Sequence, residues 1–243
     1  VKVDGKTDGG LGYGAEIDLE ADVSSDVDNQ GVNASRTFTY LDSKFGRVEL
    51  GGNKSVAATI RVDASTVAAA TGGINGAWVY FVGSDNTNAT DFITNSKLPS
   101  EHGNTQGFGD ESTYNATKIS YYTPKFSGLQ AGISYTPQIN DRGQNVVRSD
   151  TQGVADVFDL ALGYEGTFSG IKLAASGSYE FGTGQGSSVS DTPGTGNGFG
   201  QDNLNAWNVG ALVGYKGFSL AGSYADFNRT GKDGLGGDYY SIG

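Results

Sequence analysis

The sequence predicts an all-β chain folded as an antiparallel transmembrane β-barrel. Three observations predict it. Apolar and polar residues alternate over a run as long as Leu11 to Val23. That exceeds the roughly 5–6 residues usual in soluble strands and matches or passes the roughly 9–11 needed for a tilted bilayer crossing. The composition holds 40 Gly, 13 Tyr and 12 Phe against 4 Pro, no Cys and no Met, which suits many strands joined by glycine-rich turns and gives long helices little support. Short turns and long polar connections also alternate along the chain, the asymmetry that membrane barrels build between their two rims.

In chain order, Val1-Lys2-Val3-Asp4-Gly5 reads as a turn. Leu11, Tyr13, Ala15, Ile17, Leu19, Ala21 and Val23 then alternate with Gly12, Gly14, Glu16, Asp18, Glu20 and Asp22, so one face is apolar and the other acidic. Asn33 to Leu41 and Phe45 to Gly51 form a hairpin around Leu41-Asp42-Ser43-Lys44. The longest irregular stretch, Gly52 to Thr113, follows. A soluble domain seldom carries a structureless loop beyond about 12–15 residues unless it is functional, whereas a barrel can fold one into its lumen. Further hairpins pair Lys118–Thr123 with Leu129–Thr136, Phe158–Glu165 with Ile171–Phe181, and Trp207–Tyr215 with Phe218–Tyr224. The last of these turns on Lys216-Gly217 alone, and a final strand starts at Asp238. The count is about ten or eleven strands. Tyr135, Tyr164, Tyr179, Phe181, Tyr215, Phe218 and Tyr224 stand near strand ends, where an interfacial girdle places amphipathic rings. The β-propensity of aromatics explains any one of them alone.

The formal charge of -11 argues against a nucleic-acid partner, since displacing counterions from phosphates takes clustered Lys and Arg. The mean hydropathy of -0.35 does not argue against a barrel, in which only alternate residues face lipid. The lack of Cys removes disulfides, thiolate nucleophiles and Cys-bearing metal sites. His102 would have to be the base of any Ser-His-Asp arrangement, but no nucleophile-elbow motif accompanies it. Gly182-Thr183-Gly184-Gln185-Gly186 opens into Ser, Pro and Gly and not into a helix, so it reads as a loop and not a phosphate cradle. Asp110 with Glu111, or Asp141 with Asp150, offer hard oxygen ligands for Ca²⁺ in loops, although surface charge explains them as well. No signal peptide stands at Val1, which fits a mature or partial chain.

Phe38-Thr39-Tyr40-Leu41-Asp42-Ser43-Lys44-Phe45-Gly46-Arg47-Val48-Glu49-Leu50-Gly51 resembles the hairpin that precedes the pore-constricting third loop of Gram-negative porins, particularly those of the alphaproteobacterial type. Lys118-Ile119-Ser120-Tyr121-Tyr122-Thr123-Pro124-Lys125-Phe126-Ser127-Gly128-Leu129-Gln130-Ala131-Gly132-Ile133-Ser134-Tyr135 is similar to the hairpin that follows that loop. The resemblance runs through most of the chain and is weakest in the loops. It implies that residues 1–243 belong to one porin domain, a 16-stranded barrel with strands missing at both ends of this chain, and that residues 52–113 hold the constricting loop. The implied activity is passive diffusion of ions and small hydrophilic solutes, with no catalysis and no cofactor. The implied setting is the outer membrane of a Gram-negative bacterium, among its lipid and lipopolysaccharide, as a homotrimer.

On this alignment Arg47, Lys54 and Arg61 form the basic side of the constriction, and Asp63, Asp85, Asp91 and Glu101 the acidic side. Arg47 and Glu49 have the parity opposite to Val48 and Leu50, which turns them to the lumen if the apolar pair faces lipid. Glu16, Asp18, Glu20 and Glu49 would line the wall and favour cations. Solvated loop charge is the competing reading for each. For the whole chain the rivals are a soluble β-sandwich or β-solenoid module, such as a carbohydrate-binding or adhesin domain, and a barrel enzyme.

Overall fold

In the computed structural model, alternation and turn chemistry resolve, among the described residues, into one antiparallel sheet of 11 strands. The structure describes residues 1–20, 33–67, 98, 100, 113, 116–139, 154–185, 203–226 and 238–243. The strands are β1 Lys2–Lys6, β2 Gly12–Glu20, β3 Asn33–Ser43, β4 Gly46–Gly52, β5 Thr117–Tyr122, β6 Leu129–Gln138, β7 Val154–Phe168, β8 Ile171–Gly184, β9 Leu204–Tyr215, β10 Phe218–Asp226 and β11 Asp238–Ile242. Each pairs with its neighbour in sequence, and among the described residues β1 and β11 stand unpaired with one another at the two edges of the sheet. At about 3.3 Å per residue, the 15 residues of β7 comfortably exceed a tilted crossing of a roughly 30 Å hydrocarbon layer.

Short turns collect at one rim because their residues accept left-handed backbone. Ser127 and Gly128, Ser169 and Gly170, and Lys216 and Gly217 all have positive φ, the requirement of the tight hairpin turn whose twist matches that of the strands it joins. The β3–β4 turn is Lys44-Phe45, because β3 runs on through Asp42 and Ser43, beyond the strand end expected from the pattern. Val1 to Gly5 also departs from expectation: Lys2 to Lys6 form β1, in register with Gly12 to Glu16. Pairing with β2 satisfies the backbone of this run and turns Val3 outward beside Ala15, which outweighs the local turn preference of Asp4 and Gly5.

The two faces differ in chemistry. Leu19, Leu50, Leu162 and Leu220 are more than half exposed on the outer face. On the inner face Glu49, Ser120, Ser134, Asp159 and Glu180 are buried and follow one another across β4 to β8 in a single row of register partners.

What buries that inner row is the chain itself. After β4 the backbone turns inward and runs across the inner face as a short helix, α1 (Val56–Ile60), and a 3₁₀ turn (Ala64–Thr66). Ser55 caps α1, and Asp63 caps the 3₁₀ turn by accepting from Ser65 N at 2.8 Å. The wall receives this segment on small residues. A Cβ at Gly132 would lie 2.7 Å from Val56 Cγ1, one at Gly163 2.5 Å from Ile60 Cγ2, and one at Gly210 1.7 Å from the Val62 carbonyl oxygen. Wall serines bond the incoming backbone: Val56 N donates to Ser134 Oγ at 2.9 Å, Val62 N to Ser176 Oγ at 2.7 Å and Ala64 N to Ser241 Oγ at 3.4 Å. Val56 and Ile60 pack on Tyr122 and Ala161, and Val62 on Leu212 and Ala221. The chain touches the wall again at Leu98, buried with Ile139, Val157 and Leu204, and at Ser100, which donates to Glu180 from N at 3.0 Å and from Oγ at 2.5 Å.

Two sets of substitutions test this account. Ser176→Ala leaves the Val62 N–H without its partner, a cost of about 1–3 kcal/mol. In an otherwise cysteine-free chain, the thiol of the buried reporter Ala57→Cys should then react roughly fivefold faster or more with a maleimide; an unchanged rate would show that the serine does not hold the segment. Among the turns, Gly170→Ala meets only the left-handed backbone, at about 1–2 kcal/mol, because no atom lies within 4 Å of the new Cβ. Gly128→Ala should cost more in urea unfolding, since its Cβ would stand 2.3 Å from the Glu165 carbonyl oxygen.

Candidate functional site

The inner face carries two arginine-centred clusters joined by one asparagine. On β2, Glu16 and Asp18 project inward, and β3 places Arg36 opposite Asp18, beside the irregularity that shifts the register after Asp18. Arg36 Nε donates to Asp18 Oδ2 at 2.7 Å, and its Nη2 bonds the same oxygen and reaches Glu16 Oε1 at 3.5 Å. One strand further, Arg47 lies opposite Asp42 and donates to Asp42 Oδ2 at 2.9 Å and to Glu49 Oε1 at 2.6 Å. Its guanidinium stacks 3.9 Å from the Tyr40 ring centroid. Planar, multidentate bonding and ring stacking are properties of a guanidinium that an ammonium lacks.

Asn53, the first buried residue of the inward segment, binds both clusters. Its Nδ2 donates to Glu49 Oε2 at 2.5 Å, and its Oδ1 accepts from Arg36 Nη1 at 3.5 Å. Lys118 Nζ, buried on β5, donates to the Asn53 carbonyl and, at 2.5 Å, to that of Ala116. The segment is thus fastened to the charged wall at its origin, and Lys54 follows half-buried. Further along, Arg61 pairs with Asp63 at 3.5 Å and donates to Ser100 Oγ at 3.4 Å. Between this segment and the short-turn rim lies a cleft of about 220 Å³, lined by Thr59, Arg61, Gln130, Glu165 and Lys172 among others.

The sequence candidates distribute as follows. Glu16 and Asp18 meet through Arg36, Arg47 and Glu49 meet directly, and Arg61 meets Asp63, which also caps the 3₁₀ turn. Glu20 ends β2. Asp85, Asp91 and Glu101 lie outside the described residues, as do His102 and the calcium candidates Asp110, Glu111, Asp141 and Asp150. Sequence reading passed over Arg36, Asn53, Lys118, Asp159 and Glu180. Parity as for Leu11 to Val23 marks three of the four strand residues among them: Lys118 precedes Ile119, Asp159 lies between Phe158 and Leu160, and Glu180 between Tyr179 and Phe181. Among the described residues no group of three or more His, Cys, Asp or Glu could hold a metal ion. What this arrangement can do is set charges of both signs against one space and keep its walls stiff.

A family model described as Gram-negative porin matches residues 1–243. An uncharacterized protein of Rickettsia felis is 28% identical over 252 residues, covering 84% of this chain and 55% of its own length. Another, from Rickettsia typhi, is 25% identical over 301 residues, covering 96% of this chain and 66% of its own length. Among solved structures, the anion-selective porin from Comamonas acidovorans superposes with a TM-score of 0.53 at 17% identity, over 99% of this chain and 60% of its own length. At that identity the likeness speaks for the fold alone. This chain therefore spans between about half and two-thirds of the length of these relatives. With the family model matched from end to end over a sheet of this architecture, the chain belongs to the Gram-negative porin family.

Proposed function

We propose that the whole protein is a passive diffusion pore in the outer membrane of a Gram-negative bacterium, passing ions and small hydrophilic solutes without chemistry. The observation that carries this reading is a sheet with an apolar outer face and a charged inner face, crossed on the inside by its own chain at 53–66. In a sixteen-stranded barrel, residues 52–113 would narrow the channel. Arg47 and Glu49 would then meet the permeating solute from the wall, and Lys54, Arg61 and Asp63, together with Asp85, Asp91 and Glu101, from the loop. Opposed charges orient a polar solute in transit. The outer face sits in lipid, with lipopolysaccharide at the long-loop rim and two further copies against it in a homotrimer. A soluble carbohydrate-binding or adhesin module is the weaker reading, because the outer face would leave far more apolar surface in water than the few hundred Å² usual for a soluble monomer.

The net charge of -11 favours cations, and Arg36 moderates that preference by neutralising Glu16 and Asp18. In planar bilayers the full-length protein should give stepwise currents with a reversal potential of cation sign. Arg36→Gln should raise the K⁺/Cl⁻ permeability ratio by roughly twofold or more. Absence of conductance would overturn the pore, and anion preference in the unaltered protein would overturn the selectivity.

A further inference from the structure

The short-turn rim places lysine over exposed aromatic rings at two of its turns. Phe45, Phe126, Phe168 and Phe218 stand in or next to the tight turns and are 72%, 78%, 74% and 83% exposed. Two of them belong to one continuous row, since Phe168, Ile171, Tyr215 and Phe218 are successive register partners across β7 to β10. At two of the turns an ammonium group lies over a ring: Lys44 Nζ is 5.0 Å from the Phe45 centroid, and Lys216 Nζ is 5.1 Å from that of Tyr215. Basic charge at this rim runs against a chain of net charge -11.

A ring so exposed gains most at the boundary between acyl chains and headgroups, where aromatic side chains of membrane proteins concentrate. An ammonium about 5 Å from that ring is carried to the depth of the phosphates, with its aliphatic stem along the apolar surface. Zwitterionic headgroups offer it no net charge, whereas anionic ones do. We propose that the short-turn rim binds anionic phospholipid in the leaflet it touches, with Lys44 and Lys216 as the charge contacts and the turn phenylalanines as the apolar seat. This rests on the reading of the chain as a membrane pore. Lys172 supplies an internal contrast: its Nζ is turned to Glu165 at 3.6 Å, a carboxylate it shares with Lys125 at 3.7 Å, so its charge is met in part within the protein.

The test uses the full-length protein with its tryptophans, Trp78 and Trp207 among them, replaced by phenylalanine and one introduced at the rim by Phe218→Trp, inserted in phosphatidylcholine vesicles. Quenching by brominated phosphatidylglycerol is compared with quenching by brominated phosphatidylcholine. The expected preference for the anionic lipid is about threefold to tenfold. It should fall to near one in Lys44→Gln/Lys216→Gln and in about 1 M salt, and persist in Lys172→Gln. Equal quenching by the two lipids, or a preference that survives the double substitution, overturns the proposal. Conductance measured on the same vesicles separates the two readings: a conducting pore with equal quenching sinks the lipid site alone, and failure to insert or conduct sinks both. Binding to purified peptidoglycan that is lost in the double variant, with equal lipid quenching, would assign the lysines to the cell wall instead and equally overturn the proposal.

Discussion

A polypeptide that runs across the inside of a sheet brings backbone N–H groups to a surface whose own backbone is already paired in its ladders. Those that no group of the segment itself accepts, and that water does not reach, must be bonded by wall side chains or left unsatisfied, at about 1–3 kcal/mol each. In this protein Ser134, Ser176 and Ser241 accept from Val56, Val62 and Ala64, and the positions of Arg61 and Asp63 depend on that match. The glycines beside them serve the same end. Glycine within a strand is unfavourable by roughly 0.5–1 kcal/mol relative to alanine, yet Gly132, Gly163 and Gly210 occupy strand interiors where any Cβ would strike the crossing chain. The wall gives up local β preference so that α1 and the chain through Val62 can lie flat against it.

The same close approach shapes the electrostatics. Carboxylates lying near a packed segment lose part of their water, so they are held by partners with directional donors. Arg36 and Arg47 serve two carboxylates each. An acidic face read from β2 alone thus becomes a compensated cluster once β3 is beside it. Pairs of this kind, part-buried and shared among several oxygens, contribute more than isolated surface pairs, whose worth is about 0–1 kcal/mol.

The hairpins were legible because alternation and turn glycines are properties of single segments: Trp207 to Tyr224 declares its two strands and its Lys216-Gly217 turn with no outside help. β1 was not, because only its pairing with β2 makes a strand of Lys2 to Lys6. The site was legible in part. Parity within β4 assigns Arg47 and Glu49 to one face, and the structure brings them together as a pair. Arg36 is invisible as a partner of Asp18 until the register of β2 on β3 is known, and that register shifts after Asp18. The serine and glycine seat is a cross-strand property in the strict sense. Gly163, Ser176, Gly210, Ser223 and Ser241 stand far apart in sequence and become one row only through successive register pairs.

Asn53 makes wall charge and loop position interdependent. Its side chain bonds Glu49 and Arg36 together, and its carbonyl takes the Lys118 ammonium. Were the inward segment to lift, Glu49 would lose one of its two donors, Arg36 would turn fully to Glu16 and Asp18, and the buried ammonium of Lys118 would lose an acceptor. The last of these changes is the most costly, because a buried charge has no cheap alternative to its hydrogen bonds. The inward segment is therefore held most firmly at its origin, by charge, and further on by neutral serine contacts and small-residue packing. Stiffness in this fold is graded along the segment, greatest where the chain leaves β4.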